Sequence, residues 1–417
     1  MSVASSAQKA AGSQSDIRII GTVASAHFTS HILQLALAPL FPMMRDAFNV
    51  TFVDLGLILT CFYAASGLGQ IAAGVLVDRF GAHRLLMMGI TLQSGSVALM
   101  GLAPNYYMLL PLAVLAGIGN SVYHPADLSI LSHRVRPERL GRAFATHVIA
   151  GNIGFGVSPI FVGTIGVMWG WRAGLLAVGI LGLIISCWVI LNRPAIRTEG
   201  QVQRRQAAAE KGKPGGQQAE PAPAHFWHII TMPVVLLAFL FFVLSAFAGA
   251  GIQNFAISAL TEGYGMVLAM ATVAVAGYQV GTASGVLLGG VLADRSEKHH
   301  VIAMLGLAVS AILIMFVFHT GLHPVAIIAL IAASGFATGI TMPSRDVLVR
   351  RAAPAGGYGK VFGIVYSGFD IGSLVAPLIF GSLIDHHMSH GVFLVCGIAL
   401  IVGIPTVMGF KGKHHKA

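Results

Sequence analysis

The sequence is poor in charge. Asp, Glu, Lys and Arg together supply 10% of its 417 residues, whereas a soluble domain carries about 25%. That shortage excludes a chain whose main solvent is water. Cysteine is scarcer still. Cys61, Cys187 and Cys396 are the only three, each inside a long apolar block, and no disulfide framework follows from them. Their expected role is that of small core residues. Also lacking are a glycine-rich nucleotide loop of Walker type and a nucleophile paired with a base in a soluble domain, so no enzyme is expected. Most of the 17 histidines lie outside the apolar blocks, as His299-His300, His386-His387 and His414-His415 do. No block holds a Cys/His cluster with metal-ligand spacing along the chain, and neither a metal nor a cofactor is expected.

What is present is apolar. Hydrophobic residues make up 56% of the chain and the mean hydropathy is +0.80. They fall in long runs, not in the short alternating segments of an outer-membrane barrel. A helix needs about 20 such residues to cross roughly 30 Å of hydrocarbon. Twelve runs qualify: 18–43, 53–77, 84–103, 107–132, 143–167, 172–191, 230–256, 267–293, 301–319, 324–349, 360–384 and 391–410. The first is no signal peptide, because a largely polar stretch precedes it and no small-residue cleavage site follows a short apolar core. The expected fold is an all-α membrane protein of twelve transmembrane helices.

The net charge of +10 is explained by topology. With the N-terminus in the cytoplasm, all Lys and Arg except Arg45, Arg172 and Arg345 fall in the tails and in the loops of the cytoplasmic side. This is the positive-inside bias, and it places both termini in the cytoplasm of a bacterial inner membrane. No nucleic-acid partner is implied. Anionic membrane lipid is the expected attraction of these basic loops.

The chain repeats itself. Gly74-Val-Leu-Val-Asp78-Arg79 recurs as Gly290-Val-Leu-Ala-Asp294-Arg295, an offset of 216. Gly141-Arg142-Ala-Phe144 recurs as Gly359-Lys360-Val-Phe362 at an offset of 218, and Pro125, Gly154 and Pro159 recur as Pro343, Gly372 and Pro377 at the same offset. Matched segments in order and at nearly constant spacing predict two homologous halves of six helices. The expected division is 1–192, 193–228 and 229–417, the middle piece being a cytoplasmic linker rich in Arg, Gln, Ala, Gly and Pro. Six spans per half make the repeat parallel, an arrangement that places substrate at the bilayer midplane between the halves.

Gly74-x-Leu76-x-Asp78-Arg79-x-Gly81-x-x-Arg84, after span two, resembles the signature loop of the major facilitator superfamily. Two stretches are narrower: His27-x-x-x-His31 through Leu40-Phe41-Pro42, and Gly117-x-Gly119-Asn120-Ser121-Val122-Tyr123-His124-Pro125. Both are similar to the fosmidomycin-resistance type of efflux protein within that superfamily. That type usually has Glu after the His-Pro pair, where this chain has Ala126 followed by Asp127. The resemblance implies the major facilitator fold, with two pseudo-symmetric six-helix bundles. It also implies a conformational latch at Gly74, Asp78, Arg79, Gly81 and Arg84. There the Asp78 carboxylate would meet a neighbouring helix N-terminus, worth about 0.3–1 kcal/mol, and Gly74 and Gly81 would permit close approach and a tight turn. The family prefers basic residues where Ala82 and His83 stand.

An ionisable group at a span centre costs about 2.5–3.5 kcal/mol on insertion scales, so it faces an interior or a cavity. Span one carries His27, His31 and Gln34 on one helical face. Span four carries Asn120, Tyr123, His124 and Asp127, again spaced as one stripe. Span ten carries Arg345 and Asp346, span eleven Tyr366 and Asp370, span five His147 and Asn152, and span seven Gln253 and Asn254. In the superfamily spans one, four, seven and ten line the cavity. Asp127 and Arg345 are equivalent at the 218 offset, which suggests a gating ion pair, or an anionic substrate group received by Arg345. A permanent structural pair, or Arg345 bound to Asp346, is the plainer alternative. Histidine titrates near neutral pH, and surroundings can bring a carboxylate into that range. His31, His124, Asp127 and Asp370 are therefore the proton-carrying candidates. The function expected is proton-coupled efflux of a small polar or anionic compound by a monomer. The alternative is proton-coupled uptake of a small organic acid.

Overall fold

The computed structural model describes residues 3–198, 230–319, 321–352 and 358–408. Of the expected linker 193–228, residues 199–228 lie outside the described residues. The helices are α1 (Val3–Gln34), α2 (Phe41–Phe48), α3 (Phe52–Phe80), α4 (Ala82–Met100), α5 (Leu109–Asn120), α6 (Tyr123–Arg134), α7 (Leu140–Trp169) and α8 (Trp171–Leu191). The second half follows with α9 (Pro233–Ala250), α10 (Ala256–Tyr264), α11 (Leu268–Arg295), α12 (His299–Phe316), α13 (Pro324–Ala352), α14 (Tyr358–Asp385) and α15 (Gly391–Met408). No strand occurs among the described residues.

Among the described residues, ten spans are long and apolar enough to cross a membrane. The other two long helices, α1 and α4, are more polar. They carry His27, His31 and Gln34, and Gln93, Ser94 and Ser96 respectively. With them the count is the expected twelve, and the chain is a multi-pass membrane protein. Its outer surface is apolar, as lipid requires: Ile180, Ile184, Trp188 and Leu191 of α8 are spaced for one helical face and are all exposed.

Prolines explain two of the three departures from the simple spans. Span one ends at Gln34, short of the expected residue 43, and a 3-10 turn at Ala38–Leu40 leads into α2. Pro39 and Pro42 lack the N–H that would continue the ladder. Span four is broken at Ser121–Val122, between α5 and α6. Pro125 cannot donate to the carbonyl of Ser121, four residues earlier. Span seven is interrupted by a π-turn at Gly251–Phe255, a feature frequent at functional sites.

The described chain forms two units. One comprises the residues up to Ala36 and those from Ala64 to the end of the first half. The other comprises Leu37–Tyr63 and the second half. In the first unit α1 packs on α7, and α4 packs on α5 and α8. In the second, α9 packs on α14, and α12 packs on α13 and α15. The same helices pair at equivalent positions, as the sequence repeat predicts. The tightest packing is that of α11 on α13. Gly281, Gly285 and Gly289 of α11 lie against the backbone of Ala332, Phe336 and Ile340, while Gly335 and Gly339 of α13 lie against Tyr278 and Thr282. Small residues at i and i+4 let two backbones touch, the usual means of close helix association in lipid.

Within the second unit, the start of α3 is held by α14. The Asp385 carboxylate accepts from the N–H groups of Phe52 (2.8 Å) and Val53 (2.9 Å), satisfying two of the four donors a helix start leaves open. The close approach continues where Thr60 Oγ1 donates to the Leu374 carbonyl at 3.0 Å and where Gly56 and Gly381 leave no room for a Cβ. Nearby, Arg45 pairs with Glu262 at 2.9 Å. Asp385→Ala is expected to lower stability by about 1–2 kcal/mol, as losing a capping carboxylate does. Glu262→Ala, at an exposed pair, should cost below about 1 kcal/mol. Thermal unfolding of the two purified variants compares them directly.

Candidate functional site

In the first unit three helices bring an ionisable cluster together. His27 and His31 lie one turn apart on α1, with ring centroids 4.5 Å apart. His147 of α7 stacks on His27 at 3.6 Å, and His124 of α6 stands 5.4 Å from His27. Asp127 of α6 is fully buried, and its Oδ2 lies 3.3 Å from His27 Nδ1 and 3.7 Å from His147 Nδ1. The approach of α7 to α1 depends on glycine. A Cβ at Gly151 would stand 2.9 Å from the His27 ring and 3.0 Å from His31 Nε2, and at Gly154 it would stand 2.5 Å from the Phe28 carbonyl oxygen. Ser158 then donates to the Ile32 carbonyl at 2.6 Å. Gly151 and Gly154 thus serve this contact of α7 with α1.

The expected stripe on span four is not one stripe. The break at Ser121–Val122 separates Asn120 from Tyr123, His124 and Asp127. Asn120 Nδ2 donates to Ser66 Oγ (2.9 Å), and its Oδ1 accepts from Gln93 Nε2 (3.4 Å). Tyr123 is buried while His124 is exposed. Gln34, half-buried at the end of α1, is not among the rings of the cluster. His147 lies at the cluster's centre. As the one ionisable side chain of span five, it offered no spacing by which sequence could link it to His27, 120 residues away.

In the second unit Arg345 of α13 is 8% exposed. Its Nε donates to Asp346 Oδ1 at 2.9 Å, and the same oxygen accepts from the Tyr366 hydroxyl at 3.2 Å. The guanidinium lies over the rings of Phe242 (4.5 Å) and Phe369 (5.3 Å), a cation–π arrangement. Asp370 is half-buried on α14, one turn beyond Tyr366. Within the first unit Asp127 lies beside two imidazoles, and within the second Arg345 is bound to its neighbour Asp346, the plainer of the arrangements expected for that arginine.

Of the latch residues, Gly81 has φ +88°, which favours glycine, and a Cβ there would stand 2.6 Å from the Thr198 carbonyl oxygen. Next to it, Nδ1 of the buried His83 accepts from the Thr198 N–H, 3.3 Å away. Arg79 lies over Phe80, and Arg84 is exposed. Gly74 departs from expectation, because a Cβ there would meet nothing within 4 Å. The side chain of Asp78 lies outside the described residues.

Two six-helix halves, repeated helix pairings and buried charged groups within apolar spans point to one kind of protein. The family model of the Major Facilitator Superfamily matches residues 23–249 and 239–416. The chain belongs to the major facilitator superfamily. It is 26% identical to the fosmidomycin resistance protein of Escherichia coli, covering 99% of this chain and 97% of that one. It is 25% identical to a probable sulfoacetate transporter of Cupriavidus necator, covering 92% and 91%. The crystal structure of the nucleoside transporter NupG superposes with a TM-score of 0.72 at 12% identity over 94% of this chain and all of that one. As a superfamily member the protein is a membrane transporter of small molecules, not an enzyme.

Proposed function

We propose that the protein is a proton-coupled secondary transporter that exports a small polar or anionic organic compound across the bacterial plasma membrane by alternating access, with both termini cytoplasmic. The observation that carries the anion is the Arg345–Asp346 pair. A guanidinium 8% exposed inside a span is too costly to keep for packing alone. Its planar fork matches carboxylate, sulfonate and phosphonate groups two oxygens at a time. Such a group competes with Asp346 for Arg345. Flanking rings at Phe242 and Phe369 hold the guanidinium plane for that exchange. Similarity along nearly the full length to a resistance protein supports export.

Charge balance favours a second reading, uptake by symport. Arg345 and Asp346 are neutral as a pair, so an added anion leaves one uncompensated negative charge in a medium of low dielectric. A proton taken up together with the anion would balance it, and proton and anion then bind together. Reconstituted liposomes with an acidic exterior separate the two. In an export exchanger, internal substrate leaves as protons enter, and an internal pH dye acidifies only in loaded vesicles. In a symporter, external substrate accumulates inside. Failure of both, over a panel of carboxylates, sulfonates and phosphonates that shift the melting temperature, would sink the anion assignment.

A further inference from the structure

The imidazoles of the first unit are arranged for more than hydrogen bonding. His27, His124 and His147 come from α1, α6 and α7, and one ligand nitrogen of each lies within 4.8 Å of the others. Beside them stands the Asp127 carboxylate, 3.3 and 3.7 Å from Nδ1 of His27 and His147. Neither oxygen of Asp127 has a hydrogen-bond partner among the described residues, nor has Nδ1 of His27 or of His147. All three residues are at least nine-tenths buried. A buried carboxylate without hydrogen bonds is expensive, and such a group calls for a partner.

We infer that this cluster is a binding site for a divalent transition-metal ion of the Zn2+, Co2+ or Ni2+ type. Three neutral imidazoles suit ions of this borderline class, which carbonyl and water ligands do not select. Asp127 supplies the negative charge, as fourth ligand or as the carboxylate that orients two of the rings. Ligands at about 2.0–2.2 Å from a tetrahedral ion stand about 3.3–3.6 Å apart. The Asp127 separations already match this spacing to within about 0.1 Å. The 4.8 Å limit on the nitrogens closes with about 0.8 Å of movement per ring. His124 is the exposed member and so gives the ion its way in. Once bound, the ion ties α1, α6 and α7 to one another. The site does not rest on the anion reading, since none of its residues belongs to the Arg345 group.

Cobalt titration of the purified full-length protein, carrying no histidine tag, tests the site. The expected result is one Co2+ per chain with the intense visible absorption of four-coordinate cobalt, discharged by Zn2+. Surface-bound cobalt, six-coordinate at pairs such as His386-His387, does not give that absorption. His27→Gln and His147→Gln should each abolish it, His386→Gln with His387→Gln should not, and Asp127→Asn should weaken binding about 10–100-fold. Size-exclusion profiles identify any variant that fails to fold. Asp127→Asn, which keeps every ring, then decides. No four-coordinate absorption in the wild type, or its survival in His147→Gln, overturns the site.

Discussion

Arg345→Gln is expected to reduce anion flux at least a hundredfold in reconstituted vesicles. The guanidinium is buried between Phe242 and Phe369 and holds Asp346 by a 2.9 Å bond from Nε. Glutamine keeps the approximate shape and removes both the charge and the fork. Losing a charge-assisted bidentate contact accounts for an effect of that size. Arg345→Lys keeps the charge without the planar fork, and its flux should fall less, about tenfold. Arg345→Gln also disturbs the protein itself, because Asp346 loses its cationic partner and keeps only the Tyr366 hydroxyl. Breaking a fully buried pair costs about 3–5 kcal/mol. The Asp346 side chain is 43% exposed, so about 1–2 kcal/mol is expected here after solvent screening. The double variant Arg345→Gln with Asp346→Asn separates the roles. Its melting temperature should recover toward the wild type while its flux stays lost. Recovery of flux in the double variant would show that Arg345 only balances Asp346.

The largest loss of stability is expected from Gly285→Ala. A Cβ at this position would overlap the Phe336 carbonyl oxygen and would stand 2.9 Å from its carbon and 3.1 Å from the Gly339 Cα. Carbon–oxygen contacts across helix interfaces run at about 3.3–3.6 Å, so α11 and α13 would have to part by roughly 1 Å. Local relaxation cannot supply that movement. Gly281 and Gly289 on one helix and Gly335 and Gly339 on the other are seated in the same way, and separating the helices opens all of them. Overpacking of a tight interface costs about 1–3 kcal/mol and sometimes more. The upper end applies where only backbone can yield. Gly290→Ala is the control. Its Cβ would meet nothing within 4 Å, and its effect should stay within about 0.5 kcal/mol. Fluorescence-detected size exclusion across a temperature ramp reads both. Equal melting temperatures for the two variants would show that the close packing of α11 and α13 does not hold the unit together.

Much of the architecture is legible in the chain because lipid leaves a segment few choices. Backbone groups in hydrocarbon must bond within their own helix, so a run of about 20 apolar residues is already a structural statement. The run expected at 324–349 is helix α13 at Pro324–Ala352, and that at 172–191 is α8 at Trp171–Leu191. The repeat is legible for a similar reason, since equivalent helices meet equivalent neighbours. The departures are also local, and prolines at 39, 42 and 125 account for two of them. Asn120 stands apart from Tyr123, His124 and Asp127 because a spacing of i, i+3, i+4 and i+7 makes one face only on an unbroken helix.

The side-chain partners were another matter. Motif spacing finds metal ligands when they share a loop or a helix. His27, His124 and His147 sit on three helices with some 97 and 23 residues between them, so no spacing rule applies. Their meeting depends on α7 reaching α1 across Gly151 and Gly154, a fact about packing. Internal equivalence likewise aligns Asp127 with Arg345, but the groups beside each, His27 and His147 for the one and Asp346 for the other, follow from packing within its own unit. By itself the sequence determined the twelve spans, the two halves and the family, because hydrophobic length and repetition are properties of the chain read in order. Only the tertiary structure decided which buried charges and imidazoles face one another. That depends on distances between helices, which glycines at their contacts set and sequence order does not.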